Sequence, residues 1–495
     1  MRVTLTAVSI LGLVLFCLMA AIDIDTASRL THSARDMVTM NFDWLLLIVT
    51  GLTLVAAIAL IFHPWSRTKL GFENEKPEFP VLAWFAMLFS AGLGPGLLYW
   101  GTAEPVTHYL DNPFDGLFFM PDNPATTGII ISVFHWGLHG WGMYVIAGLA
   151  IAIGAFRHEH ELTFSTALIP VLGKKAIAGK TGSVIDLIAL YGTVFGVATS
   201  VGLTVGVMNA TMEPVTGLAF DVSNQIAMMM VVTGLGIFSV LTGVARGIRR
   251  ISEINIWISF CLLILITLLG PTLPILGSVL SNTIAYITAV LPMGFWIASE
   301  EAGQSWQADW TVFYWGWWLA WTPFVALFIA RISRGRTVRE FLMGVLAVPT
   351  LITIIWMSIF GGVAIDQEVA TGLIGEAISR DYSLATIATI NGLVPEDYRL
   401  PVFLILFFLL FTWLITSLDS ATLVICHLTR ADNSVTMKVV WGCLLGITAG
   451  TLLLIGGISA LQAASIIIGL PMAFVMLLVL AATVQLIRRG TRESP

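Results

Sequence analysis

Charge is what this sequence lacks. Only 11% of its 495 residues are Asp, Glu, Lys or Arg, while 57% are apolar; soluble globular chains carry about 25% charged residues. So few charges cannot cover the hydrated surface of a soluble protein this size. Disordered, coiled-coil, collagen-like and nucleic-acid-binding classes fall for the same reason, and a net charge of −6 argues further against nucleic acid. Cysteine is scarce too. Cys17, Cys261, Cys426 and Cys443 lie in or beside apolar runs, without CxxC or metal-ligand spacing, and are expected to be inert packing residues. Enzyme signatures are missing: there is no GxSxG, no Walker A and no pair of intramembrane aspartates. His158-Glu159-His160-Glu161 is not HExxH, and Gly92-Leu93-Gly94-Pro95-Gly96 has no βαβ context for a dinucleotide. With a mean hydropathy of +0.91, what remains is an all-α polytopic membrane protein that is not an enzyme.

A helix needs roughly 20 mostly apolar residues to cross a bilayer. Twelve runs qualify, at about 4–22, 43–62, 80–101, 126–156, 183–209, 225–244, 254–272, 308–330, 341–363, 400–425, 438–457 and 462–487. A further apolar segment at about 274–298, rich in Gly, Pro and Ser, is expected to be an interfacial or re-entrant external helix. Cytoplasmic loops hold the excess of Lys and Arg. With both termini inside, 20 of the 24 basic residues fall on the cytoplasmic side, and only Arg29, Arg35, Arg380 and Arg399 fall outside. No Lys or Arg occurs between Arg250 and Arg331, consistent with one long external excursion between spans 7 and 8. The first apolar run is long enough to be a retained span rather than a signal peptide. The expected division is a single transporter-like membrane domain: two leading helices in 1–78, then 79–272, an external helix in 273–307, then 308–487 and a short cytoplasmic tail from 488 to 495.

Three constellations stand out. Ser90 to Gly96 holds three glycines and a proline, which break regular helical hydrogen bonding. Such a break either lets helices pack closely or lines a cavity where unwound carbonyls meet ions or substrate. Aromatic residues form the second. There are 17 tryptophans. Trp136, Trp141 and Tyr144 share one arc of span 4, while Trp310, Tyr314, Trp317, Trp321, Phe324 and Phe328 form a stripe on span 8 with Trp318 at its flank. Stripes of this kind are commonly core packing, but Pro323 is expected to break this one, and two aromatic clusters around a shared cavity would cage a quaternary ammonium group. Each ring contributes about 0.5–2 kcal/mol of cation–π attraction. The third is a set of oxygens deep in span 10: Thr412, Thr416, Ser417, Ser420 and Thr422 around Asp419. Any single hydroxyl can simply bond its own helix backbone. Thr416 and Ser417 opposite a broken helix would instead suit a hard monovalent cation such as sodium.

These elements, in this order, resemble the betaine/choline/carnitine transporter family along the whole chain. The carriers are Ala91 to Gly96, Phe134 to Tyr144, Gly243-Val244-Ala245-Arg246-Gly247-Ile248, Trp317 to Phe324, Ala330-Arg331-Ile332-Ser333-Arg334-Gly335-Arg336 and Thr416-Ser417-Leu418-Asp419-Ser420. The resemblance implies the leucine-transporter-like fold: two extra helices followed by inverted five-helix repeats, here spans 3–7 and 8–12. It also implies a homotrimer in the bacterial cytoplasmic membrane. An onium substrate would meet Trp136, Trp141, Tyr144, Trp317 and Trp318, with Trp321 towards the cytoplasm, and Tyr99 resembles an aromatic added in carnitine-type members. The coupling sodium would take backbone oxygens of Ser90, Leu93 and Trp413 and the hydroxyls of Thr416 and Ser417. A second sodium site resembles Thr193 and Phe324, although Val197 stands where that site needs a hydroxyl.

Choline-type members carry an Asp in the glycine run, and Gly96 occupies that position here. With no carboxylate expected near the aromatic clusters, a zwitterion such as glycine betaine, carnitine or dimethylsulfoniopropionate fits better than a lone cation. Sodium symport is the leading expectation. Sodium-independent exchange, hinted by Tyr99, and uptake of choline or methylated amines remain alternatives. The short basic stub after Arg488 implies no intrinsic osmotic activation.

Overall fold

The computed structural model describes the chain apart from residues 1, 93, 243–244, 432–433 and 494–495, and apart from the side chains of 2–4, 89–92, 245–250 and 489–493. Leu93, the Ser90 side chain and the Gly243-Val244 part of one motif therefore lie outside the described residues.

Among those residues every regular element is helical, and the one β-bridge pairs Lys69 with Thr337. Eleven helical stretches are long and apolar enough to cross a membrane. Lys180–Thr216 runs through the centre, packed against Phe313–Arg331, Glu396–Leu428 and Val435–Glu493, while Leu138–Arg157 closes on Phe313–Arg331. Outward faces carry large apolar side chains, for example Leu276, Leu280, Ile284 and Ile287 on Thr272–Gly294. Hydrocarbon, not water, is the solvent such faces need, and intrahelical hydrogen bonding satisfies the backbone behind them.

Helix interruptions fall where they shape the interior. Val81–Gly92 and Gly94–Leu110 are helical on either side of residue 93, which lies outside the described residues. The run expected at 126–156 is two helices, Pro124–Trp136 and Leu138–Arg157, parted at Gly137 with φ −101° and ψ −132°. The Leu138 amide, freed by that break, donates to the Tyr286 hydroxyl at 2.9 Å. Short π-helical turns occupy Ala308–Val312 and Met357–Gly361. The last helix is broken at Gly456–Gly457, where Gly457 has φ +57°, a left-handed conformation that favours glycine.

Two expectations require correction. Pro323 does not break its helix: Phe313–Arg331 is continuous through it. Proline removes the amide that would serve the Leu319 carbonyl, but packing against Leu138–Arg157, Lys180–Thr216 and Val435–Glu493 holds the helix through it. The 274–298 segment is not re-entrant. Pro274 falls in the first turn of Thr272–Gly294, where proline is well tolerated, and Pro292 only in its last turn, so the 23 residues form one unbroken helix. This helix braces its neighbours through Tyr286 and through Asn282, whose Nδ2 donates to Ser358 Oγ in the 357–361 π turn at 3.0 Å. The second helix also exceeds its expected bounds. Ile24–Phe62 spans 39 residues and is capped by Asp23, whose Oδ1 accepts from the Thr26 amide at 2.9 Å.

The Ile332 to Arg336 motif is a docking junction. Its backbone pairs with the 68–70 strip: Leu70 N donates to Arg336 O at 2.7 Å and Gly335 N to Leu70 O at 2.8 Å. The Arg334 guanidinium grips Glu75 with two hydrogen bonds, of 3.0 and 2.6 Å, and holds that carboxyl below its ordinary pKa. Arg336 lies 4.0 Å over the Trp84 ring and donates to Phe79 O at 2.8 Å, tying the motif to the start of Val81–Gly92. Gly335 has φ +83°, and a Cβ there would sit 2.4 Å from Lys76 O. Replacing Gly335 with Ala should therefore destabilise the protein by about 2 kcal/mol, from backbone strain and the clash together. A thermal-shift measurement in detergent tests this, and an unaltered melting temperature would contradict it.

Candidate functional site

Five aromatic side chains close around one interior cavity: Trp136 and Tyr144 from the two halves of the split helix, and Trp317, Trp318 and Trp321 from Phe313–Arg331. Gly94, Pro95 and Gly96 from the first turn of Gly94–Leu110 share the lining, as do Val197, Ser200 and Val201 from Lys180–Thr216 and Leu414 and Ser417 from Glu396–Leu428. All three constellations of the sequence therefore meet at one place. The space is tight, with about 50 Å³ open to the centres of water-sized spheres.

The rings are set edge to face. Trp136 lies 5.7 Å from Trp317 at 88° and 6.0 Å from Trp318 at 75°. Tyr144 stands 4.9 Å from Trp318. Edge-to-face packing leaves ring faces free to meet a cation. Hydrogen bonds fix the indoles: Trp317 Nε1 donates to Gly196 O at 3.2 Å and Trp318 Nε1 to His135 O at 2.9 Å. Glycines make room for them. A Cβ on Gly96 would lie 2.3 Å from the Trp136 ring, and one on Gly140 would lie 2.4 Å from Trp318. Trp141 is buried behind the wall, 6.0 Å from Trp318 and 5.5 Å from Tyr144, as a buttress rather than a lining residue. Tyr99 also stands outside the lining, packed 4.6 Å from Trp100 in a neighbouring aromatic cluster.

The cation-site candidates adjoin this cavity. Trp413 packs on Gly94, where a Cβ would lie 3.0 Å from its ring. Thr416 Oγ1 donates to the Trp413 carbonyl at 2.9 Å, which leaves the lone pairs of the hydroxyl available to a cation. Ser417 reaches the cavity wall itself. The second pair fits less well: Thr193 Oγ1 bonds its own helix at Ala189 O, 2.9 Å away, Phe324 is buried, and Val197 brings an apolar side chain to the wall.

The expectation that no carboxylate lies near the aromatic clusters is overturned. Glu104 is fully buried directly behind the cage. Its Oε2 accepts from Trp136 Nε1 at 2.9 Å and from the Tyr314 hydroxyl, and its Oε1 lies 2.7 Å from His135 Nδ1. His108 Nε2 is 3.4 Å from the same Oε1, and His135 Nε2 is 3.2 Å from Thr311 Oγ1. The sequence carried the signal. Gly94–Leu110 continues well past the expected end of span 3, so Glu104 belongs to a helix interior, where an ionisable side chain reads as functional by default.

A tight, aromatic-walled cavity inside an apolar helical bundle, beside an interrupted helix, defines a membrane transporter. The model of the betaine/carnitine/choline transporter family matches residues 4–492. A glycine betaine/proline/choline/ectoine transporter of Vibrio parahaemolyticus is 36% identical over 489 residues, covering 96% of this chain and 86% of the relative. The glycine betaine transporter OpuD of Bacillus subtilis is 37% identical over 477 residues, covering 95% and 91%. An osmo-dependent choline transporter of Acinetobacter baylyi is 35% identical over 505 residues, covering 97% and 70%. The chain belongs to the betaine/carnitine/choline transporter family and is not an enzyme.

Trp317→Ala removes a whole cage wall and should weaken onium binding by at least tenfold, about 1.4 kcal/mol or more. Gly96→Ala should weaken it as well, by pushing Trp136 into the cavity. Ligand titration by tryptophan fluorescence reads both, and unaltered affinity in Trp317→Ala would reject the cage.

Proposed function

We propose that this protein imports a zwitterionic onium compound of the glycine betaine, carnitine or dimethylsulfoniopropionate class by sodium-coupled alternating access. The observation that carries the reading is the convergence on one cavity of Trp136, Tyr144, Trp317, Trp318 and Trp321 with Gly94 to Gly96 and with Ser417. The onium head sits among ring faces, where cation–π attraction replaces lost hydration. Sodium binds beside it through Thr416, Ser417, the Trp413 carbonyl and the backbone oxygens of Ser90 and Leu93. An ion and a substrate that share one broken helix favour the same conformation, and that is the thermodynamic content of coupling. Thr193 and Phe324, offering a single hydroxyl, add no second ion to this scheme.

The fold that goes with this reading has twelve spans. Val81–Leu110 counts as one span, the Gly456–Gly457 break divides the last helix into two, and Thr272–Gly294 is the external connector. Two leading helices then precede two five-span repeats, which an odd number of spans requires to be inverted. The distribution of Lys and Arg supports cytoplasmic termini in a bacterial cytoplasmic membrane, and family likeness supports a homotrimer.

Proteoliposomes containing the purified protein should accumulate labelled glycine betaine only when an inward sodium gradient is imposed. Equal uptake without sodium defeats the coupling. Uptake that appears only after preloading with substrate would establish exchange instead.

A further inference from the structure

We propose that Glu104 is a positioning residue of the cage: a neutral carboxylic acid whose hydrogen bonds fix the angle at which the Trp136 ring meets the onium head. The inference deepens the onium-transport reading and rests on it. Glu104 is fully buried on Gly94–Leu110, and Trp136, which donates to its Oε2 at 2.9 Å, belongs to the cavity wall.

Among the described residues Glu104 is paired with His108 and His135 and with no Lys or Arg. An ionised carboxylate left there without a cation carries a heavy desolvation cost, whereas the protonated acid needs only hydrogen-bond partners. That acid has one O–H to donate and an oxygen free to accept. Its surroundings match both ends. Oε2 accepts from the Trp136 indole at 2.9 Å and from the Tyr314 hydroxyl. Oε1 carries the proton and donates to His135 Nδ1 at 2.7 Å, and His135 Nε2 donates in turn to Thr311 Oγ1 at 3.2 Å. Each of these groups is uncharged, so the network adds no net charge to a cage that takes a zwitterion.

The same bonds orient the ring. The Trp136 N–H is shared between Glu104 Oε2 and the Tyr314 oxygen 3.1 Å away, and Tyr314 is itself anchored on Glu104. Without the acid, the indole keeps only a hydroxyl that has lost its own acceptor. In so tight a cavity a small pivot of the indole alters the face offered to the ligand. Glu104 therefore acts through Trp136 and touches no ligand itself.

Glu104→Gln reproduces the neutral acid. Its oxygen accepts from Trp136 and Tyr314, one N–H meets His135 Nδ1, and the other is within reach of His108 Nε2, 3.4 Å from Oε1. Glu104→Leu keeps the bulk and removes every hydrogen bond. In fluorescence titrations of the full-length purified protein with glycine betaine, E104Q should stay within about threefold of native affinity, while E104L should lose about tenfold or more. In a Trp136→Phe background, where no indole N–H remains to be held, E104Q and E104L should bind alike. The infrared spectrum of the native protein should also contain the C=O stretch of a protonated carboxyl that E104Q lacks. Affinity in E104Q as weak as in E104L would overturn the proposal, and so would the absence of that band. A loss in E104L that persists beside Trp136→Phe would overturn it too, by leaving Glu104 a general structural role. If E104L does not fold, E104Q affinity and the infrared band decide. A native protein that binds no onium compound defeats the reading on which the proposal rests, a failure that the intact infrared band distinguishes.

Discussion

A carboxyl group removed from water costs several kcal/mol unless hydrogen-bond partners surround it, and the interior of this protein is arranged to supply them to Glu104. The partners come from two other elements. Pro124–Trp136 brings His135 and Trp136, while Phe313–Arg331 brings Tyr314. Satisfying one buried group thereby fixes the register of three helices, two of which carry cage rings. His135 serves twice, since its carbonyl also receives the Trp318 indole. The cage is thus held from behind by a polar network, and its aromatic faces are left for the cavity.

Interrupted helices pose the matching problem for the backbone. An amide released in an apolar medium has no water to turn to, so a side chain must serve it. Tyr286 meets the Leu138 amide at the Gly137 break, and Asn282 bonds Ser358 within the 357–361 π turn. Glycine stands where ring and backbone must meet closely, as at Gly96 against Trp136 and Gly140 against Trp318. The same physics explains why the cage lies at a break: only there do two short helices turn Trp136 and Tyr144 towards one point.

Much of this was legible in the sequence. Apolar length located the membrane helices, because burial of hydrocarbon-facing surface needs about 20 such residues. Helical spacing placed Trp317, Trp318 and Trp321 on one side. Other features were not legible because they depend on partners distant in sequence. The break at Gly137 leaves no composition signal, since one glycine inside a span is ordinary until Tyr286 arrives to satisfy the freed amide. Pro323 looked like a breaker because local rules cannot see the packing of Phe313–Arg331 against Leu138–Arg157, Lys180–Thr216 and Val435–Glu493. Glu104 was missed because the helix bearing it outruns its apolar stretch. Its hydrogen-bond partners lie 31, 32 and 210 positions away in the chain.

The Thr272–Gly294 helix ties the interior to the surroundings. Its inner edge holds the elbow at Gly137 through Tyr286, while its outer edge presents Leu276, Leu280, Ile284 and Ile287. Bending the elbow must either drag this helix along or give up the Tyr286 hydrogen bond. The Tyr286 hydrogen bond therefore makes the split helix and the Thr272–Gly294 helix one mechanical unit for as long as it holds.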